Sequence, residues 1–235
     1  YGLRAKERTP AGFDAPQAGT FVHDVMESTL RAAKERGGVK SLDRAALHEI
    51  VRGAVEEYIS VNLPELEEKD ARFRYLFRRL CDSVYRIMDS VAEELADSDF
   101  EPLAFELSFG GAGQLPAVTI REAGGELCVV GKVDRVDGWL SDGKLYLRVV
   151  DYKTGTKRFD LAELRYGLGL QMLLYLFALK SEGEELFGGF PIEPAGALYL
   201  PAREKLLSMP RGASDEEIDR AMRKELQRTG LVLSD

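Results

Sequence analysis

Two stretches bring charged residues to the ends of β-forming runs. In GKVDRVD, residues 131–137, the acid is Asp134. In LRVVDYKTG, residues 147–155, Asp151 closes an apolar run and Lys153 follows two positions later. Side chains two apart in a strand share a face, so Asp151 and Lys153 lie side by side. The SDG at 141–143 between the two segments is a hairpin signal, which lets Asp134 approach Asp151 across adjacent strands. Two carboxylates that close repel, and one pKa rises unless a cation sits between them. A hard divalent cation suits oxygen ligands. Such an ion lowers the pKa of water and polarises a phosphoryl oxygen. A lysine beside it can position water or neutralise charge growing on the phosphate. Two acids and a lysine around a metal suit phosphodiester hydrolysis. The same residues also read as an ion pair on a solvated face, with Asp134 tied to Lys132 or Arg135 and little stability at stake. Three coincidences favour the first reading: Asp151 ends an apolar strand, Asp134 ends the preceding one, and an apolar helix follows directly.

That helix, GLGLQMLLYLFAL, holds Gln171 and Tyr175 four apart on one face. An amide in such surroundings must find partners. Gln171 is read either as a buried amide tied to backbone or, with Tyr175, as a group that reaches the strand ends and touches DNA or the lysine. His23, in QAGTFVHDVMES, is read as a capping or surface residue or as an imidazole metal ligand. Glu27, one turn on, shares its face and is a supporting partner or a lesser ligand. His48 has no such company and reads as surface.

The elements that must hold these residues follow from periodicity. YGLRAKER reads as a helix tail and residues 9–19 as a Pro/Gly loop. Helices are predicted from Thr20 to about Arg36, from Leu42 to about Ser60 and from Glu67 to about Ala96. Then the period changes to two. PLAFELSFG places Leu103, Phe105, Leu107 and Phe109 on one face, and LPAVTI, ELCVVGKVDRVDGWL and KLYLRVVDYK follow as strands. A helix over about 161–180, two strands (AGALYLPA and EKLLSM), and a helix capped by Ser214 with Glu217 three residues on complete the chain. The closing GLVLSD looks like the start of another strand. The order predicts an α/β (α+β) fold: a mixed sheet flanked by helices, with a helical part over 1–98 and a core over 99–235 in one structural domain. The abrupt ends suggest a piece of a longer chain.

The 235 residues carry a net charge of −8, which argues against nonspecific coating of nucleic acid, although a local basic cleft or a metal can still meet phosphate. Lys153, Lys157 and Arg158, and a helix face with Arg72, Arg74, Arg78 and Arg79, are the cationic groups available for a strand. Cys81 and Cys128 lack metal or disulfide spacing and read as small apolar residues of a reducing cytoplasm. No apolar run is long enough to span a membrane.

GTFVHDVMES, GKVDRVD, VVDYKTG and GLGLQMLLYLFAL, in this order, resemble the RecB-type nuclease domain of the PD-(D/E)XK superfamily. With the opening YGLRAKER…FDAPQAG, the likeness narrows to the C-terminal nuclease domain of AddB/RexB-type components of bacterial ATP-dependent helicase–nucleases. The resemblance implies a restriction-endonuclease-like core. It makes His23, Asp134, Asp151 and the backbone carbonyl of Tyr152 metal ligands, Lys153 the catalytic lysine, and Gln171 and Tyr175 the Q-x-x-x-Y motif at the DNA. It also implies magnesium, replaceable by manganese, hydrolysis of a strand fed by an AddA-type partner, and a role in double-strand break repair. Many members hold an iron–sulfur cluster on four cysteines around this domain; neither end of this chain has them. A nuclease fold that only binds or scaffolds DNA is the alternative, and the complete set of acids and lysine speaks for the enzyme.

Overall fold

The computed structural model describes residues 15–122, 125–155, 160, 162, 170–202, 210 and 212–232. Helix α1 (Ala15–Glu35) begins earlier than Pro16 and Gly19 suggested. Proline is tolerated in a first turn because its missing N–H would be unpaired there. The helix ends where Gly37 and Gly38 take positive φ, with Gly38 N–H on the Ala33 carbonyl and Gly37 N–H on that of Lys34, a Schellman ending. Asp43 caps α2 (Arg44–Asn62), and Asp70 caps α3 (Ala71–Ala96), each side chain accepting a backbone N–H at 2.7 Å. The predicted start of α3 at Glu67 falls instead in a short 3₁₀ turn over Leu66–Glu68.

Among the described residues, seven strands follow: β1 (Glu101–Phe109), β2 (Val118–Glu122), β3 (Gly125–Val129), β4 (Gly131–Ser141), β5 (Lys144–Lys153), β6 (Ile192–Pro201) and β7 (Thr229–Val232). Five form one sheet in the order β1-β4-β5-β6-β7, and β2 and β3 form a separate hairpin. The stretch ELCVVGKVDRVDGWL is therefore two strands rather than one: β3 turns aside at exposed Val130 to pair with β2, and β4 begins at Gly131. The SDG hairpin stands as expected, with Asp142 at φ 50° and Gly143 at φ 74°, the left-handed pair of a tight turn. Strands β5 and β6 run parallel, so a crossover must join them. It includes α4 (Gln171–Glu182), the described part of the helix expected over about 161–180. The last helix, α5 (Asp215–Glu225), carries the Ser214/Glu217 capping box. The expected helix tail at 1–8, the loop up to residue 14 and the strand EKLLSM lie outside the described residues.

The sheet thus has helices on both faces. Phe21, Met26, Phe77 and Met88 from the N-terminal helices pack on Phe105, Val150, Tyr152 and Leu200. Met172, Tyr175, Leu176 and Leu179 of α4 pack on Leu107, Val133, Val149 and Tyr199 on the other face. One expectation fails here. Phe105 joins the first core, while Leu107 and Phe109 join the second. Glu106 between them has φ 51°, and a left-handed residue breaks the period-two alternation of a strand. Cys81 is half-buried beside the first core, with its thiol pKa pushed up to about 12 by burial. Cys128 is exposed, contrary to its reading as a packed apolar residue, because it lies on the separate hairpin β2–β3.

The register of α4 against β4 depends on one close approach. A Cβ at Gly131 would overlap the Tyr175 hydroxyl. Tyr175 is buried, stacks on Phe109 at 5.1 Å between ring centroids, and accepts a 2.6 Å hydrogen bond from Gln171 Nε2. Gly131→Ala is expected to lower unfolding stability by about 1–3 kcal/mol through overpacking. A denaturant midpoint equal to wild type would show that Tyr175 has room to move.

Candidate active site

The site lies where β4 and β5 cease to pair. Their ladder ends at Arg135 opposite Val150. At the next step the Asp134 carboxylate takes the place of a main-chain acceptor: Oδ2 accepts the Tyr152 N–H at 2.6 Å. The other oxygen, Oδ1, lies 3.5 Å from His23 Nδ1, and His23 Nε2 lies 3.0 Å from the Tyr152 carbonyl. A carbonyl only accepts, so Nε2 carries the proton in this contact. In the neutral ring Nδ1 then turns a lone pair toward Asp134. The ring meets Tyr152 edge-on at 5.4 Å. Gly19, one turn before His23, faces Thr154, so α1 rests on the segment that follows Lys153.

Lys153 Nζ is 2.6 Å from Asp151 Oδ2 and sits over the Tyr199 ring at 5.4 Å. Asp151 Oδ2 is buried and has no hydrogen bond of good geometry; the ammonium charge is its compensation. Asp151 is close enough to Asp134 to act on its titration. The Asp134 pKa is raised to about 6, first by burial and further by the Asp151 charge, while His23 and the Tyr152 N–H oppose the rise.

One residue at this site has no counterpart among those singled out from sequence. Glu106, His23 and Asp134 each offer a ligand atom, and these atoms lie within 4.8 Å of one another. The ladder between β1 and β4 pairs Phe105 with Arg135 and Leu107 with Val133, but omits Glu106 and Asp134. The register is unbroken across this step, so Glu106, with its left-handed φ, stands opposite Asp134 on the neighbouring strand. Lys132 is paired with Glu106, whose hydrogen bond and charge raise the lysine pKa. Nearby Asp24 has a raised pKa, chiefly from burial and then from Glu27 and Glu106. Period-two alternation disguises Glu106, because a polar residue between Phe105 and Leu107 reads as an ordinary solvent-facing position.

The remaining residues are placed as follows. Glu27 pairs with Arg31 at 2.7 Å, and Arg31 also donates to the Phe105 carbonyl at 3.2 Å, which ties α1 to the strand just before Glu106. Gln171 is exposed at the start of α4, and Tyr175 is packed over Gly131. His48 is not a bare surface residue: Nε2 lies 2.7 Å from Asp89 Oδ1, and the ring meets Tyr85 edge-on. Lys157 and Arg158 lie outside the described residues.

The donor set suits a hard divalent cation: one imidazole nitrogen and carboxylate oxygens, with no sulfur. Crowded acids whose protonation is favoured are also what a cation would relieve.

The family model of the PD-(D/E)XK nuclease superfamily matches residues 1–231. The chain is similar to bacterial proteins that are each named as one of the subunits of an ATP-dependent helicase/deoxyribonuclease. It is 36% identical to that of Acetivibrio thermocellus, over all of this chain and 21% of the relative. It is 34% identical to that of Caldanaerobacter subterraneus subsp. tengcongensis, over 99% of this chain and 20% of the relative. It is 32% identical to that of Clostridium tetani, over all of this chain and 20% of the relative. The chain spans about a fifth of the length of these relatives.

Proposed function

The chain belongs to the PD-(D/E)XK nuclease superfamily, and on that premise we propose that it is a metal-dependent deoxyribonuclease domain whose cation is held by His23, Asp134 and Glu106. Asp151 completes the set, while the Tyr152 carbonyl accepts from His23 Nε2 and orients that ring. The observation that carries this reading is the approach of three ligand atoms to within 4.8 Å at the broken end of the β4–β5 ladder. Magnesium, with manganese as substitute, would supply Lewis acidity toward a phosphoryl oxygen and toward water. The protein supplies the rest. Asp134 is fixed by the Tyr152 N–H, and His23 is oriented by the Tyr152 carbonyl. Lys153 is held between Asp151 and the Tyr199 ring, where its ammonium neutralises charge that develops on the scissile phosphate. Of the Gln171–Tyr175 pair, Gln171 is the member exposed to a DNA strand, and buried Tyr175 holds it through the hydroxyl. The names of its relatives support a domain that works with a helicase; an AddA-type partner is what the sequence resemblance adds. It trims a strand exonucleolytically in double-strand break repair and recombination in the cytoplasm.

The test is manganese binding by calorimetry across pH. Asp134 has a folded-state pKa of about 6, above its unfolded value of 3.8. Without metal, the folded state therefore holds this proton more tightly than the unfolded one. The resulting stability is fully present below the unfolded pKa and is lost as pH rises through the folded one. Metal competes with the same proton. Affinity is expected to be level above about pH 7 and to fall about tenfold per pH unit well below about pH 6. Asp134→Ala is expected to abolish binding. Binding that survives this change, or no binding by wild type, would remove the reading.

A further inference from the structure

We propose that the exposed face of the first two turns of α3 is a track for single-stranded DNA: Tyr75 is a stacking platform for a base, and Arg72, Arg74 and Arg78 hold phosphates. It rests on the reading of the chain as a DNA nuclease. Between Ala71 and Cys81 the sequence has four arginines and no acid, in a chain with net charge −8. Arg72, Arg74 and Arg78 are exposed, and Tyr75 between them is 59% exposed. At about 100° per residue, the tyrosine and these arginines share an arc of about 160°, opposite buried Phe77.

The charges of α3 run against its own dipole. Cations near a helix N-terminus and acids near its C-terminus are both unfavourable, yet the arginines open this helix and Glu93 and Glu94 close it. The acids have local partners: Glu94 holds Arg148 and Arg228, and Glu93 meets Arg223. The arginines do not have such a reason. Among the described residues, Arg72 and Arg78 form no ion pair, and Arg74 has only exposed Glu67 at 3.5 Å. Their placement disfavours the helix and ties nothing down, so it fits an anionic ligand from outside. An exposed aromatic ring among cations favours a strand whose bases are free to stack over a double helix, where they are not.

The position in the fold points the same way. Phe77, on the inner side of this segment, meets Phe21 edge-on at 5.1 Å, and Phe21 is two residues before His23. At the other end of the helix, Leu95 lines a cavity with Leu30 and Lys34 from late α1. The two helices thus pack early on early and late on late, which puts the basic end of α3 at the metal-site end of α1.

The test is fluorescence anisotropy with a labelled oligothymidylate of about 20 nucleotides, in chelator so that nothing is cut, at several salt concentrations. Tyr75→Ala is expected to weaken binding about 5- to 100-fold, and Tyr75→Phe to leave it intact. Arg72→Ala and Arg78→Ala are each expected to lower the salt slope by about 0.7, the single-strand value per phosphate contact. Thermal melting should not fall, since all three side chains are on the surface and removing Arg72 relieves an unfavourable charge at the helix N-terminus. Equal binding by Tyr75→Ala and by the double arginine variant, or no binding by wild type, overturns the track. A manganese cleavage assay on the same proteins separates the premise. Wild type that binds through Tyr75 but never cuts retains the track and removes the nuclease reading. Wild type that cuts while every variant binds as it does removes the track alone.

Discussion

Replacing Lys153 by alanine is expected to slow cleavage of single-stranded DNA about 10²- to 10³-fold while manganese still binds. The magnitude is that of removing one preorganised charge from a site where negative charge develops. The separation of effects follows from geometry. Lys153 touches Asp151 and the Tyr199 ring, while the three atoms that converge as ligands belong to His23, Glu106 and Asp134. The change leaves Asp151 Oδ2 buried without its ammonium. Glu106→Ala is the contrasting variant, since it should weaken manganese binding itself. The measurement is single-turnover cleavage with manganese, set beside calorimetry on the same samples. Equal rates for wild type and Lys153→Ala would assign the activity to a contaminant. Manganese binding without any cleavage by wild type would favour a binding or scaffold module over the enzyme.

Asp137→Ala is expected to cost about 3–5 kcal/mol of stability, the largest loss of any single change considered. Asp137 and Arg135 are fully buried. Asp137 Oδ2 accepts from Arg135 Nη2 and from Arg148 Nε, each at 2.9 Å. Arg135 Nε also lies 2.7 Å from Asp137 Oδ1, but neither atom is aligned for a hydrogen bond, so that contact is Coulombic. The chain of charges continues from Arg148 to Glu94 and on to Arg228, which also donates to Ser90. Burial alone would lower the Arg135 pKa, but the carboxylates of Asp137 and Glu94 more than compensate and hold it charged. Removing Asp137 leaves two guanidinium groups under the sheet without their shared anion. Denaturant unfolding measures the loss, and a shift below about 1 kcal/mol would mean that water reaches the network.

These two aspartates stand three residues apart in one strand and have unrelated work. Asp134 ends the pairing of β4 with β5 and faces His23 and Glu106. Asp137 sits inside the ladder, opposite Arg148, and anchors α3 to the sheet through Glu94. Their spacing alone does not divide them. The hairpin brings Asp134 near the DYK stretch across a two-residue turn, whereas the partners of Asp137 come from the packed network.

Local chemistry was enough for much of this protein. Hydrophobic period marked the helices, the strands and the change between them, because an amphipathic element shows its buried face in its own residues. The pairing of Asp151 with Lys153, the SDG turn, the Ser214 cap and the shared face of Gln171 and Tyr175 all involve residues a few positions apart, and short range makes them readable, although the hydrogen bond between Gln171 and Tyr175 was not among the partners expected. Glu106 was hidden for the opposite reason. Its placement depends on a left-handed backbone step in β1 opposite Asp134 of β4, and that juxtaposition belongs to two strands separated by the β2–β3 hairpin. His48 with Asp89, Gly131 under Tyr175, and the charge network beneath Tyr152 were hidden in the same way. Each is a contact between distant segments whose energy depends on a few tenths of an ångström, and only the packed layers bring such atoms together.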